Sequence, residues 1–179
     1  NPVGSFTEST NLTFTLPKAE EVTGMSFGFT PLMEIASGET VTLHLPGFYG
    51  DSSESAVNST GDAVDIATWN NVNETLEFFV GRTIAPNEEV HVDVPSELGI
   101  HVPIDGVRWK QLTIGLSSSA ADGPVAVNPL TPIIYTQPVG DFGTSSAIQF
   151  EPAMAGSPTR ITLNFRPRMR LAPEETITF

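Results

Sequence analysis

The sequence predicts an all-β chain folded as an antiparallel β-sandwich, on three observations. Apolar residues alternate with period two in segment after segment, the spacing that turns one face of a strand to a core and the other to water. Fifteen glycines and fifteen prolines interrupt every stretch long enough for a helix, because proline lacks an amide donor and glycine favours turns. The turn-forming intervals recur about every 8–15 residues, as in immunoglobulin-like and jelly-roll-like sandwiches.

In chain order, Leu12/Phe14/Leu16 mark the first strand, Met25/Phe27/Phe29 the second and Val41/Leu43/Leu45 the third. A polar, serine-rich interval from Asp51 to Asp62 reads as one long loop. Val64/Ile66, Leu76/Phe78/Val80 and Val90/Val92/Val94 follow, then Leu112/Ile114/Leu116, Val125/Val127, Ile133/Tyr135, Ile148/Phe150 and Ile161/Leu163/Phe165. Asp105-Gly106 and Asp122-Gly123-Pro124 are turn chemistry. Only residues 19–22 and 96–99 offer a single helical turn. The expected core holds Phe14, Phe27, Phe29, Val41, Leu43, Phe78, Val90, Val92 and Ile114.

Residues 1–43 return at 137–179 with a constant offset of 136 and no gap, and 15 of the 43 pairs are identical. Asn-Pro-Val-Gly-Ser-Phe becomes Gln-Pro-Val-Gly-Asp-Phe. Phe14 maps to Phe150, Phe29 to Phe165, Pro31 to Pro167 and Met33 to Met169. A register kept over that length marks a tandem repeat. The chain therefore reads as a module over 1–136 followed by the first third of a second copy over 137–179, or equally as an end segment 1–43 before a module 44–179. A shorter echo runs inside it: Ile35-Ala-Ser-Gly-Glu39, Ile84-Ala-Pro-Asn-Glu88 and Leu171-Ala-Pro-Glu-Glu175, each between two alternating segments. The missing initiator Met and signal pattern imply numbering that starts inside a longer or processed chain.

Twenty-one acidic against eight basic residues give a net charge of −13, which argues against nucleic acid and anionic membrane surfaces as partners. No apolar run approaches the roughly 18 residues of a membrane span. The absence of cysteine excludes disulfides, thiolate metal sites and a cysteine nucleophile.

Catalytic signatures are wanting: the sequence holds no HExxH, phosphate loop, dinucleotide fingerprint or Gly-x-Ser-x-Gly elbow, so no catalytic residue and no enzyme activity is expected. His44 and His91 read as solvated strand residues. Asp51, Glu54, Asp62 and Asp65 flank one loop and offer the oxygen ligands that Ca2+ takes, yet follow no calcium-loop spacing; a solvated acidic surface is the preferred reading, with no metal or other cofactor. Trp69 and Trp109 are of a type that stacks on sugars, but their places at strand ends read as core edge. Three sequons, at Asn11, Asn58 and Asn73, are candidate acceptors of N-linked glycans, Asn58 foremost because of its polar loop. The two Pro-Val-Gly-x-Phe stretches are candidate linkers entering each module: Pro2, Val3, Gly4 and Phe6 in the first, Pro138, Val139, Gly140 and Phe142 in the second. Their glycines would allow the bend and their phenylalanines anchor it.

The run from Gly38 to Phe48, Gly-Glu-Thr-Val-Thr-Leu-His-Leu-Pro-Gly-Phe, resembles a motif of very large secreted proteins of algae and other protists, as do the Ala-x-x-Glu turns and the pair Gly123-Pro124. The chain also resembles subunits of glycosylated extracellular fibrils from natural waters. The resemblance implies a structural glycoprotein outside the cell. Together with the repeat it sets the expected function: a subunit of an extracellular fibril or surface coat, joined head to tail with other copies of itself. The alternative is a carbohydrate-binding or adhesive surface module that uses the tryptophans and acidic loops.

Overall fold

The computed structural model describes residues 4–127, 131–140, 142, 146–167, 171, 173–174 and 176–177. They fold almost wholly as strands, largely antiparallel, with two 3-10 turns, at Thr60–Asp62 and Ser96–Leu98, as the helical features among them. Strands β1 (Asn11–Phe14), β2 (Met25–Phe29), β5 (Asn58–Ser59), β8 (Val90–Val94) and β11 (Tyr135–Thr136) make one sheet in the order β11-β1-β2-β8-β5. A second sheet runs β10-β9-β3-β7-β6-β4, from β3 (Thr40–His44), β4 (Ser53–Ala56), β6 (Val64–Asn70), β7 (Thr75–Val80), β9 (Gly115–Ser118) and β10 (Thr131–Pro132). The pair β1–β11 is parallel; the other strand pairs are antiparallel.

Alternation does here what the pattern requires. In β3 and β8 every second side chain is buried, and the inward residues of both sheets join one hydrophobic cluster. All nine expected core residues lie in it. Its centre is aromatic: Phe27 of the first sheet stacks on Phe78 of the second with ring centroids 5.4 Å apart, and on Phe29 at 5.3 Å. Phe14 stacks on Phe48 at 5.8 Å. Aromatic pairs at such spacing contribute beyond their buried area.

Several elements depart from the expected pattern. Residues 51–62 are not one loop: β4 pairs with β6 and β5 with β8, so the serine-rich stretch supplies two edge strands. Polar edges of this kind discourage pairing with other chains. A bulge between Val64 and Ile66 shifts the alternation, so Ile66 faces outward and Ala67 and Trp69 go in. Leu16, Leu112 and Val127, expected inside strands, lie beyond the strand ends and are exposed. Residues 19–22 form a turn, not a helical one, whereas Ser96–Leu98 is the 3-10 turn expected there.

The short sequence echo has a geometric meaning. The link from β2 to β3 passes from the first sheet to the second, and the link from β7 to β8 passes back. The two arches meet at Ile35 and Ile84, each of which donates its amide to the other's carbonyl, at 3.0 and 2.9 Å. In each, the closing glutamate accepts a hydrogen bond from the amide three residues earlier: Glu39 from Ala36 at 2.7 Å, Glu88 from Ala85 at 3.0 Å. The residue before the glutamate is left-handed in all three copies: Gly38 (φ 88), Asn87 (φ 65) and Glu174 (φ 74). At residues 35–39 and 84–88 the pattern is thus a sheet-to-sheet arch.

Candidate assembly site

The C-terminal part carries a hairpin, β12 (Ala147–Glu151) with β13 (Arg160–Asn164), which forms its own two-stranded sheet. It repeats the pairing of β1 with β2 residue for residue. Leu12 faces Phe27 and Phe14 faces Met25 in the first; Ile148 faces Leu163 and Phe150 faces Ile161 in the second. Every register pair is shifted by 136. The likeness extends beyond the strands. Phe6 bridges Pro31 and meets Phe29 edge-on, 5.8 Å and 85°. Phe142 bridges Pro167 and meets Phe165 edge-on, 5.9 Å and 87°. The turn between the strands is left-handed at Glu20 in one and Gly156 in the other, at φ 64 and 77.

Burial divides the two hairpins. Leu12, Phe14, Met25, Phe27 and Phe29 are at most 5% exposed, covered by β8 and the second sheet. Ile148, Phe150, Ile161, Leu163 and Phe165 are 38–56% exposed. Among the described residues, β13 has no strand on the side where β2 has β8. An apolar strand pair with an open edge is marginally stable alone and a template for further pairing.

Between body and hairpin lies the second Pro-Val-Gly-x-Phe stretch, and the structure splits it. Gln137 donates its amide to the Leu12 carbonyl at 2.9 Å, and its side-chain Oε1 accepts from the Phe14 amide at 2.6 Å, finishing the outer edge of β1. Pro138 follows, and Val139, 2% exposed, exchanges two 2.8 Å hydrogen bonds with Val107. Val139 thus belongs to the body before it and Phe142 to the hairpin after it. Gly140 between them is left-handed, φ 67, where glycine bears no steric cost. Gly4, its counterpart, needs to be glycine for a different reason: a Cβ there would run into the carbonyl of Gly123. Phe6 is buried on Phe29. Pro2 and Val3 lie outside the described residues.

Gly106 combines both demands. It is left-handed, φ 71, and a Cβ would strike the Val139 carbonyl. Gly106→Ala is expected to break the Val107–Val139 bridge, freeing residues 138–140 for proteolysis while the remaining core keeps its protection; mass mapping of limited digests reads this directly. Sequence reading had Asp105-Gly106 only as a turn and gave Gln137 and Val107 no role. Val107 pairs with Val139, and Gln137 with Leu12 and Phe14, registers between distant segments that no local pattern carries.

The other candidates scatter. Asn58 is exposed on the edge strand β5, and Asn73 is exposed at the β6–β7 turn, where the Asn70 carboxamide accepts from the amides of Val72 and Asn73 at 3.0 and 3.1 Å. Asn11 differs from the expectation of an outward acceptor: it is half-buried in β1, lies over Gly28 and donates to the Ser9 carbonyl at 3.3 Å. Trp69 is wholly buried, its indole N–H 3.3 Å from the Gly50 carbonyl, which removes it as a sugar platform; Trp109 is 43% exposed. His44 shares a 2.8 Å hydrogen bond with Ser117; burial pushes its imidazole below the ordinary value, against the pull of the Glu77 carboxylate. His91 faces Glu89 at 3.1 Å, exposed. Among the described residues no three acidic or histidine side chains converge on a metal position, and no helix is long and apolar enough to cross a membrane. No protein-family profile, curated protein or solved structure matches the chain.

Proposed function

We propose that this chain is a structural subunit of an extracellular fibril or surface coat, a β-sandwich module in tandem repeat that joins copies of itself head to tail, works without a catalytic centre or bound cofactor, and carries N-linked sugar. One observation carries the reading: a second hairpin with the register of a buried first one, and with its apolar face open. A contact in which a strand of the next copy adds to the open edge of β13 and covers the hairpin's apolar face joins unlike surfaces. Repeated without closure, it builds a helical filament rather than a closed dimer, and the added strands would follow the mode of β-augmentation. The acidic surface supports solubility of the free copies through mutual repulsion. A carbohydrate-binding or adhesive module has less in its favour, since one of the two tryptophans offered for sugar is buried in the core.

Sedimentation and negative-stain microscopy of the purified chain test this reading. Mass growing with concentration into unbranched filaments is expected. A stable monomer with residues 146–167 as protected from proteolysis as residues 11–29 would overturn it. Material from the native source is expected to carry glycan at Asn58 or Asn73 rather than at Asn11; intact-mass and glycopeptide analysis without added carbohydrate would remove the glycoprotein part alone.

A further inference from the structure

We propose that the groove beside Asn58 binds the first sugars of the glycan that this residue carries, so that the glycan lies against the body instead of standing free. The inference rests on the glycoprotein part of the proposed function and adds a ligand site to it.

The groove follows from the register of the first sheet. In β8 the side chains of Val92 and Val94 are buried and that of Asp93 is exposed. Asn58, also exposed, is the cross-strand partner of Asp93, so both stand on the outer face. Next to them that face lacks a side chain at Gly24, just before β2. A Cβ there would come 2.9 Å from the Val94 carbonyl and 3.0 Å from the Thr15 hydroxyl, so backbone contact keeps the position bare. What results is an open groove of about 460 Å3, within the range of about 300–1,000 Å3 found for small-molecule sites.

Its lining decides the class of ligand. Gly24, Ala56, Val94 and Pro95 offer apolar surface, while Thr15, Asp93, Ser96 and Glu97 offer hydroxyls and carboxylates. A pyranose ring is divided in the same way, with C–H groups on its faces and hydroxyls at its edge. Those hydroxyls donate to carboxylates, and the ring face covers apolar surface. Among the described lining residues none is basic, so the two carboxylates disfavour phosphates and other anions. The edge formed by Ser96 and Glu97 is fixed in advance. Leu98 donates its amide to the Pro95 carbonyl at 3.3 Å and Gly99 to that of Ser96 at 2.9 Å, and the Ser53 hydroxyl donates to the Leu98 carbonyl at 2.7 Å. A site held ready in this way loses little on ordering.

Asn58 names the occupant. It is itself part of the lining, and an N-linked glycan is joined to the side chain of its asparagine. The first ring therefore starts at the groove with no spacer. A tether this short gives an effective concentration on the order of mM or above, at which contacts too weak to hold a free sugar keep a bound one in place.

The test uses the full chain made in a host that glycosylates it, and an amidase that cleaves the sugar–asparagine bond. Glycopeptide mass spectrometry follows the loss of sugar from Asn58 on the folded chain and on proteolytic peptides of the same material. Cleavage on the folded chain is expected to be about tenfold slower than on the peptides, because the groove holds the ring against the body. The double change Ser96→Ala with Glu97→Ala removes two exposed hydrogen-bonding groups and should speed cleavage on the folded chain about fivefold. As a second readout on the unaltered chain, the amides of Leu98 and Gly99 should exchange with solvent more slowly before the sugar is removed than after. Cleavage equally fast on folded chain and peptides overturns the groove site and leaves the glycoprotein reading standing. So does a double variant that melts like the parent and loses sugar no faster, or amide exchange that ignores the sugar. A chain that takes sugar at Asn73 but not at Asn58 overturns the groove site alone; one that takes sugar at neither overturns the glycoprotein reading as well.

Discussion

Phe27→Ala is expected to lower the stability of the body by about 3–5 kcal/mol, while Leu163→Ala, its counterpart 136 residues later, leaves body stability within about 0.5 kcal/mol and weakens association between copies at least tenfold. Phe27 is wholly buried, with stacked contacts to Phe29 and Phe78 that truncation removes, leaving a cavity between the sheets. For a body of this size the loss amounts to a fall in melting temperature on the order of 10 °C. Leu163 holds the same register position in its hairpin, yet is 38% exposed, so its removal costs the isolated chain little. Its contribution appears only where a second copy covers it, and a leucine truncated in a packed site costs about 2 kcal/mol or more. Thermal melts at micromolar concentration read the first effect; sedimentation across a dilution series reads the second. Equal melting shifts for both variants would mean that the C-terminal hairpin is already packed on its own body.

The strands that read clearly from sequence are those with one solvated and one buried face, such as β3 and β8, where Val41/Leu43 and Val90/Val92/Val94 are all buried. What stayed hidden needs partners far along the chain. Ser53–Ala56 and Asn58–Ser59 carry no apolar alternation because they are edges, held by backbone pairing to β6 and β8. The bulge at Val64/Ile66 turns Ile66 outward and Trp69 inward: the inserted residue flips the phase of the alternation, whereas Val64/Ile66 alone read as one unbroken strand face. The hairpin at 147–164 was legible as strands from Ile148/Phe150 and Ile161/Leu163, since local pattern sets local pairing. Its exposure was legible only through the repeat, because one body of 44–136 has one slot to fill. The bridge at Val107 escaped for the same reason as the edges: its partner Val139 is named by the fold, not by any motif.

Removing residues 1–32 is expected to convert the chain from one that folds alone into one that folds only by association. The deletion takes away β1 and β2, which leaves β8 without its central neighbour and exposes the core faces of Val90, Val92 and Leu43. The slot so opened has the shape of a hairpin that the chain still possesses. Ile148, Phe150, Ile161, Leu163 and Phe165 would stand where Leu12, Phe14, Met25, Phe27 and Phe29 stood, with similar volume except for the smaller Leu163. On the polar face the pair Asn11–Gly28 becomes Ala147–Asn164, so the larger side chain moves across the strand pair; the crowding of Asn11 over Gly28 does not recur, and the exposed His91 ring, 3.0 Å from a Cβ at Gly28, must turn aside. At Gly24, where Arg160 would stand, a Cβ comes within 2.9 Å of the Val94 carbonyl, and that end of the hairpin must shift outward. Charge favours the exchange. Residues 44–136 hold three basic and twelve acidic side chains, a net of −9; residues 1–43 hold one and five, a net of −4; residues 137–179 hold four of each, a net of zero. A neutral segment meets less repulsion from the acidic body than the native segment does, and the difference is greatest at low salt, where screening is weakest. The truncated chain should therefore gain mass with concentration, protect residues 146–167 from proteolysis as it does so, and assemble more readily relative to the full chain when salt is lowered. With Leu163→Asp added, it should neither fold nor assemble, because a carboxylate would be buried without a partner. A truncated chain that folds as a monomer, or one whose hairpin stays sensitive to protease after mass has grown, would show that the two segments do not share a slot.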